Sequence, residues 1–546
     1  MKGTWRFLLV LLFWLSAWGC GSNGDGSNGE DTSIDGQQLL DATGEWDESG
    51  EDFQSKDLLP EDLESDLIDG IDATQDLIEP TDGVEDEADF VGTPVDLSVV
   101  PFETWQRAPV NVIFDCEMGS DQEPASVSVK FSTNGTDFYL ATPLLPYSKP
   151  DSLIGLTSGS HRFVWDSMAD VQTDTDAWVQ VTLLLATNQS ISVIEGPFSL
   201  QNRQNRDRVL LATSSINGNS DLRAMRFSHQ DGLSWDGVTH EVGVSPVRVF
   251  FDVPGRRAVT LNDANQTLTF VFVDEDGAVT VEETIELGIN ANDGFYSEDG
   301  SMLYLLVYNS QPEAGTYAWE VNPHTGRPLP GTQPEMIAFH YVAQDMAPLP
   351  NNQGYATVEG SQNDPKGDMF VSLVGFDGSI RSQAYFAPEG SIPMGIALSP
   401  NGDHLTVIYY NFYGDGDAAV GFRVEDGQLV LVNSVALTDP DDLEYSSDGQ
   451  TVVVSEAQGN KVTALTVGGN GELSKEGSFG LGLATSLAST RWGPDQDLFF
   501  VATVSASTGE SGMGLFRVEG GALKSEGTFA MGVDIDLIPQ DVAIQP

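Results

Sequence analysis

Ile392-Pro-Met-Gly-Ile-Ala-Leu-Ser-Pro400, followed by Asn401-Gly402, is an apolar strand running into a tight turn. Leu405–Tyr410, Ala419–Val424, the turn Asp426-Gly427 and Leu429–Val435 come next. Four short strands joined by tight turns within about 47 residues is the content of one propeller blade. The second of these turns recurs along the chain. It stands at Asp231-Gly232, Asp276-Gly277, Thr325-Gly326, Asp377-Gly378, Asp426-Gly427, Asn470-Gly471 and Gly520-Gly521, and the glycines are 45, 49, 52, 49, 44 and 50 residues apart. Self-similarity at such a period, with several strands per unit, predicts an all-β chain dominated by a seven-bladed β-propeller over 206–546.

The two ends of this region fit each other. The last residues, Ile538-Pro-Gln-Asp-Val-Ala-Ile-Gln-Pro546, match Ile392–Pro400 position by position, so the chain stops after an inner strand. Arg208 to Val242 has the second, third and outer strands of a blade but no inner one. The C-terminal strand is therefore expected to complete the first blade and remove the exposed edges of an open ring.

Ahead of the propeller the composition changes three times. Residues 1–20 carry Lys2 and Arg6, then the apolar run Phe7–Trp18, the pattern of an export signal and too short for a membrane span. Ala17-Trp-Gly-Cys20 resembles a bacterial lipoprotein cleavage site, which implies acylation of Cys20 and a membrane anchor; ordinary secretory cleavage is the alternative. Gly21 after the Cys resembles the outer-membrane-sorted class. Residues 21–91 hold 24 acidic residues and the single base Lys56, so they are expected to be a disordered acidic linker. A calcium- or partner-responsive acidic tail is the other reading of that stretch. Residues 92–203 show seven short apolar runs: Val95–Val100, Val110–Phe114, Ala125–Phe131, Phe138–Ala141, His161–Trp165, Trp178–Ala186 and Ile191–Phe198. These predict an immunoglobulin- or fibronectin-like β-sandwich, with Trp165 in its core. Asp166, Asp170, Asp174 and Asp176 form an oxygen-rich loop within it, without the spacing of an EF-hand.

The formal charge of −59, from 83 acidic and 24 basic residues, excludes a nucleic-acid backbone as partner. It suits cations and basic partners. Cys20 and Cys116 are the only cysteines, so there is no disulfide framework.

Propeller ligands collect around the central channel, where two rows of residues fall. Two positions after the Pro of each inner strand, or its equivalent, stand Arg248, Gly294, Asp345, Gly395, Asp442, Ser486 and Asp541. Asp345, Asp442 and Asp541 would converge on one rim, where a cation such as Ca²⁺, or Arg248, would relieve their repulsion. Backbone-capping Asp residues are the structural alternative. At the ends of the second strands stand Asn262, Asn309, Glu359, Asn411 and Glu456, whose shared parity puts them on one face.

Pro393-Met-Gly-Ile-Ala-Leu-Ser-Pro-Asn-Gly402, Tyr445-Ser-Ser-Asp-Gly-Gln-Thr-Val-Val-Val454 and Phe422-Arg-Val-Glu-Asp-Gly-Gln-Leu429 resemble the framework phrases of the lactonase and YVTN-repeat propellers, a family that includes 6-phosphogluconolactonase-like proteins. The resemblance covers about residues 206–546 and implies the same fold. The enzymes of that family tend to carry Pro-Arg-His where a blade begins. The equivalent place here reads Pro393-Met-Gly395, and Pro246-Val-Arg248 is not followed by His. No catalytic residue is assigned on this basis. The expected function is that of an envelope-anchored binding or scaffold module for a protein, a glycan or a divalent cation; a lactonase-like hydrolase or isomerase acting at the channel is the alternative.

Overall fold

The computed structural model describes residues 96–545 except 103–104, 107–109, 119–124, 144–153, 157, 186–188, 203–206, 215–219, 309–313, 360–369, 386–390, 412–415, 490–497, 505–510, 533–538 and a few single or paired turn positions. All of these residues belong to one compact unit, Glu87–Pro546. The export signal, Cys20 and the whole acidic linker, as well as Asn309, lie outside the described residues.

Seven four-stranded antiparallel sheets make the propeller. Blades two to seven each run inner to outer in chain order, as in blade five: Ser391–Leu398, His404–Asn411, Ala418–Glu425 and Gln428–Ala436. Blade one is composite. Its inner strand is Pro539–Ile544, paired antiparallel to Arg208–Ser214, with Asp221–Ser228 and Gly232–Glu241 outside. The closure expected from the chain ends is the one observed. The inner strands follow one another around a closed circle, Pro539–Ile544 packing against both Pro246–Phe251 of blade two and Leu483–Ser489 of blade seven.

Strand sequences follow their depth in the blade. The second strands Arg257–Asn262, Gly354–Glu359 and Thr451–Glu456 are buried at every residue, because a neighbouring blade covers each face. Outer strands such as Gln428–Ala436 are largely exposed. Alternate side chains of one strand face opposite neighbours: Leu405, Val407 and Tyr409 enter the core shared with blade four, while Ile408 enters the core shared with blade six. One apolar cluster fills each of the seven junctions between blades. A fully buried Val, Leu or Phe contributes roughly 1.5–3 kcal/mol, so these clusters carry most of the propeller's stability.

The recurrent glycines have steric causes. Asp426 and Gly427 both have positive φ, 52° and 74°, in the two-residue turn linking Glu425 to its partner Gln428. Gly378 has φ 77°, and a Cβ there would lie 1.8 Å from the Ile337 carbonyl oxygen on the preceding blade's outer strand. The repeat therefore marks turns that need positive φ, and at Gly378 also a close approach to the backbone of the preceding blade.

Ahead of the propeller, Asp96–Val99, Val110–Glu117 and Gly159–Trp165 form one sheet. Trp105–Gln106, Ser190–Leu200, Thr175–Leu184, Ala125–Ser132 and Tyr139–Leu140 form the other, with Ile154–Leu156 also pairing to Ala125–Ser132. The two share a core of Val112, Phe114, Phe163 and Trp165 against Val129, Val179, Val181 and Leu183, so this is a two-sheet sandwich. All seven expected strands are present, and two short ones were not foreseen. Two acids of the loop, Asp166 and Asp170, are structural. Asp166 caps the short helix Ser167–Asp170, and Asp170 accepts hydrogen bonds from Trp165 Nε1 at 2.7 Å and from the Thr142 N–H at 2.8 Å. At the seam with the propeller, buried Arg256 of blade two donates to the Trp105 carbonyl at 3.2 Å and lies over its ring.

A chain lacking residues 538–546 leaves Arg208–Ser214 as an exposed edge strand beside an open junction. We expect it to lose its cooperative melting transition and aggregate, measured by circular dichroism and light scattering. A monomer melting like the full chain would contradict the closure.

Candidate functional site

In all seven inner strands the pairing to the second strand slips by one residue at the same place, a β-bulge near the strand's start. The residue just past the bulge is Arg248, Asp293, Asp345, Gly395, Asp442, Ser486 and Asp541 in blades two to seven and one. Blade three thus contributes Asp293 to this row, where the sequence count gave Gly294. That strand begins Ala291-Asn-Asp-Gly294 without a Pro, and the count shifted by one. The bulges bend each strand identically, so these seven positions form a ring around the channel.

Arg248 is its hub. Its Nε donates to Asp293 Oδ1 at 2.8 Å, and its two terminal nitrogens lie 3.5 Å from Asp345 Oδ1 and 3.4 Å from Asp541 Oδ1. The carboxylates turn their other oxygens to the next blade's backbone. Asp541 Oδ2 accepts from Val249 N at 2.7 Å, Asp293 Oδ2 from Met346 N at 2.9 Å, Asp345 Oδ2 from Ile396 N at 2.8 Å, and Asp442 Oδ2 from Leu487 N at 2.8 Å. Ser486 Oγ bonds both Asp442 Oδ2 at 3.2 Å and Asp541 Oδ1 at 3.1 Å. Six of the seven blade junctions are thereby bridged; only the one at Gly395 is not.

Burial sets the protonation of this ring. It pushes Asp541 up to about 6, against the pull of Arg248, and raises Asp442 as well. Burial together with the Asp293 charge drives Asp345 well above the carboxylate range. Burial works against charge on Arg248, but Asp293, Asp541, Asp345 and Asp442 outweigh it and hold the guanidinium firmly protonated. Asp345, Asp442 and Asp541 do converge, around a guanidinium and backbone N–H groups. Among the described residues no group of three His, Cys, Asp or Glu side chains is arranged to hold a metal ion.

The second row is built into the blades. Asn262 and Glu456 occupy equivalent places, each opposite the Pro that starts its inner strand. Asn262 Nδ2 donates to Thr267 and Thr269. Glu456, fully buried, accepts from Thr438 N at 2.7 Å, Lys461 Nζ at 3.0 Å and the Thr463 hydroxyl. Glu359 meets buried His340 Nδ1 at 2.8 Å, and His340 Nε2 lies 3.2 Å from the Tyr355 hydroxyl. Asn411 N donates to Asp417 Oδ1 at 2.8 Å. Arg248 has a more open side chain, 32% exposed, than its partners Asp293, Asp345 and Asp541, and Asp442 is half-buried.

No protein-family model matches the chain, and no curated relative does. Solved propellers resemble it. A periplasmic gluconolactonase of Pseudomonas aeruginosa superposes with a TM-score of 0.49 at 18% identity, over 62% of this chain and 99% of that one. A hypothetical selenium-binding protein of Sulfolobus tokodaii gives 0.49 at 10% identity, over 60% and 92%. The β-propeller domain of Myceliophteria thermophila Cps50 gives 0.40 at 10%, over 56% and 97%. The count of seven blades rests on the sheets themselves.

Asp541 binds its proton more tightly folded, at about 6, than unfolded, near 3.8. Its contribution to stability is complete below pH 4 and is lost as the pH rises through about 6, roughly 3 kcal/mol in all. Melting temperatures measured between pH 5 and 7.5 should therefore fall with rising pH, and Asp541→Asn should flatten that slope. Arg248→Met should destabilise by about 3–5 kcal/mol at pH 7.5 by leaving buried carboxylates unpaired, and by less at pH 5. Equal losses at both pH values would refute the ring's electrostatic coupling.

Proposed function

We propose that the chain is an exported binding protein, lipid-anchored at Cys20 and held clear of the membrane by residues 21–91. Its channel mouth is the recognition surface, and the partner it takes is a protein segment carrying positive charge. The observation that carries this reading is the commitment of the ring. Asp293, Asp345, Asp442 and Asp541 each accept a backbone N–H from the next blade, and the oxygens left over face Arg248 or Ser486, or in Asp442 its own strand. None is free to serve as a general base, which must reach a substrate proton directly or through one water. The chain's formal net charge of −59 favours cationic partners over anionic ones.

Three measurements test this. The full chain should hydrolyse neither glucono-δ-lactone nor 6-phosphogluconolactone above the buffer rate; turnover that disappears in Arg248→Ala or Glu359→Ala would establish the hydrolase instead. Cys20→Ser should move the protein from the membrane pellet to the soluble fraction and abolish labelling by radioactive palmitate. A photo-crosslinking side chain in place of Gln540, in the bulge at the mouth, should give one discrete adduct in intact cells. The same group in place of exposed Asp426, on an outer turn, should not.

A further inference from the structure

A cleft of about 500 Å³ opens on the sandwich, lined by Phe131, Thr133, Tyr139, Asp170, Gln172 and Thr173 among others. We propose that it binds a neutral sugar ring of a glycan, a site separate from the channel mouth. Tyr139 is 61% exposed, unusual for so large a ring on a strand. Its ring packs at 6.0 Å on Phe131, and Phe131 stacks at 5.0 Å on Trp165. Trp165 is fully buried and tied through Nε1 to Asp170. The exposed ring is thus the outer end of an aromatic column rooted in the core, and it needs no ordering when a ligand arrives.

The chemistry around it selects a sugar. One face of a pyranose presents C–H bonds, which meet the electron-rich face of an aromatic ring. Its hydroxyl groups then need both donors and acceptors at the rim. Asp170 supplies an acceptor. A carboxylate has about four lone-pair sites, and three are occupied, by Trp165 Nε1, Thr142 N and the Thr142 hydroxyl at 2.7 Å. Thr133, Gln172 and Thr173 are exposed, and their side chains make no hydrogen bond among the described residues. They supply the donors. Among the described residues the lining contains no Lys or Arg and includes the acidic Asp170, so phosphorylated or sulfated ligands are disfavoured. The volume falls in the ~300–1,000 Å³ range of small-molecule sites.

The test uses the full-length chain and four neutral hexasaccharides, of α-1,4-glucose, β-1,4-glucose, β-1,4-N-acetylglucosamine and β-1,4-mannose. Binding is followed by saturation-transfer NMR and calorimetry. At least one sugar should bind, with saturation confined to one face of a ring. Tyr139→Ala should weaken binding about ten-fold or more at an unchanged melting temperature, and Tyr139→Trp should retain it. If Tyr139→Ala does not fold, the double variant Gln172→Ala with Thr173→Ala carries the same expectation. Arg248→Met, provided it folds, should leave sugar binding intact, which separates this site from the channel. No binding to any of the four, or binding indifferent to Tyr139, would overturn the assignment.

Discussion

The propeller depends on one strand arriving from the far end of the chain. Pro539–Ile544 pairs with Arg208–Ser214, more than 300 residues earlier, and until it does so blade one has no inner strand. The junction is reinforced around the last turn of chain. Arg208 donates to the Gln545 carbonyl at 2.8 Å, and Gln545 Nε2 reaches the Gly255 carbonyl at 2.6 Å. Asp541 binds Val249 of blade two on one side and Ser486 of blade seven on the other. Contacts so distant in sequence form only after the loop-closure entropy of everything between them has been met. What the strand gains in exchange is burial of Val542 and Ile544 in the junction with blade seven and the elimination of an exposed edge.

Most of this was legible in the sequence, for a definite reason. Turn glycines and a matched terminal strand are local signals, and each survives in the fold as a steric requirement, as at Gly378. The ring was legible only in part. Arg248, Asp442 and Asp541 were found by counting from a Pro, which blades two and six place at the same register, and Asp345 by counting from its equivalent, Ala343. Asp293 was missed because its blade has no Pro to anchor the count, which fell one residue late, on Gly294. The parity argument for Asn262 and Glu456 was sound as geometry, since both sit opposite the blade's first Pro. It could not tell a side chain facing the channel from one bonded to the third strand, where Thr269 and Thr463 wait seven residues on.

The acidity of the chain gives the ring its particular form. Four buried carboxylates inside a protein of net charge −59 would repel one another strongly if all were ionised and unpaired. Three devices reduce that cost together: a central guanidinium, backbone N–H donors from the neighbouring blade, and protonation favoured by burial. Each device also joins blades, so charge compensation and ring closure are one structure. That coupling bears on function. A carboxylate made available for proton transfer would have to give up a bridge between blades.

The one junction that the ring does not bridge tests this logic from inside the molecule. Between blades five and six the ring position is Gly395, with no side chain to reach across. A Cβ at that point would lie 3.0 Å from Leu443 Cδ2 and 3.2 Å from Ile408 Cδ1, tighter than ordinary contact. Leu443 and Ile408 belong to the apolar cluster that fills this junction, together with Ala397, Tyr445, Val452 and Val454. Leu443 N, which a carboxylate at position 395 would have bonded by analogy with the other blades, is taken by Asp442 Oδ1 of its own strand at 2.8 Å. Apolar contact takes the place of the ring's bridge there, and the junction's polar link lies elsewhere, between Thr406 Oγ1 and the Tyr445 hydroxyl at 2.8 Å. The blades are therefore held by burial at every junction, and the polar ring is a second layer that fixes their register around Arg248.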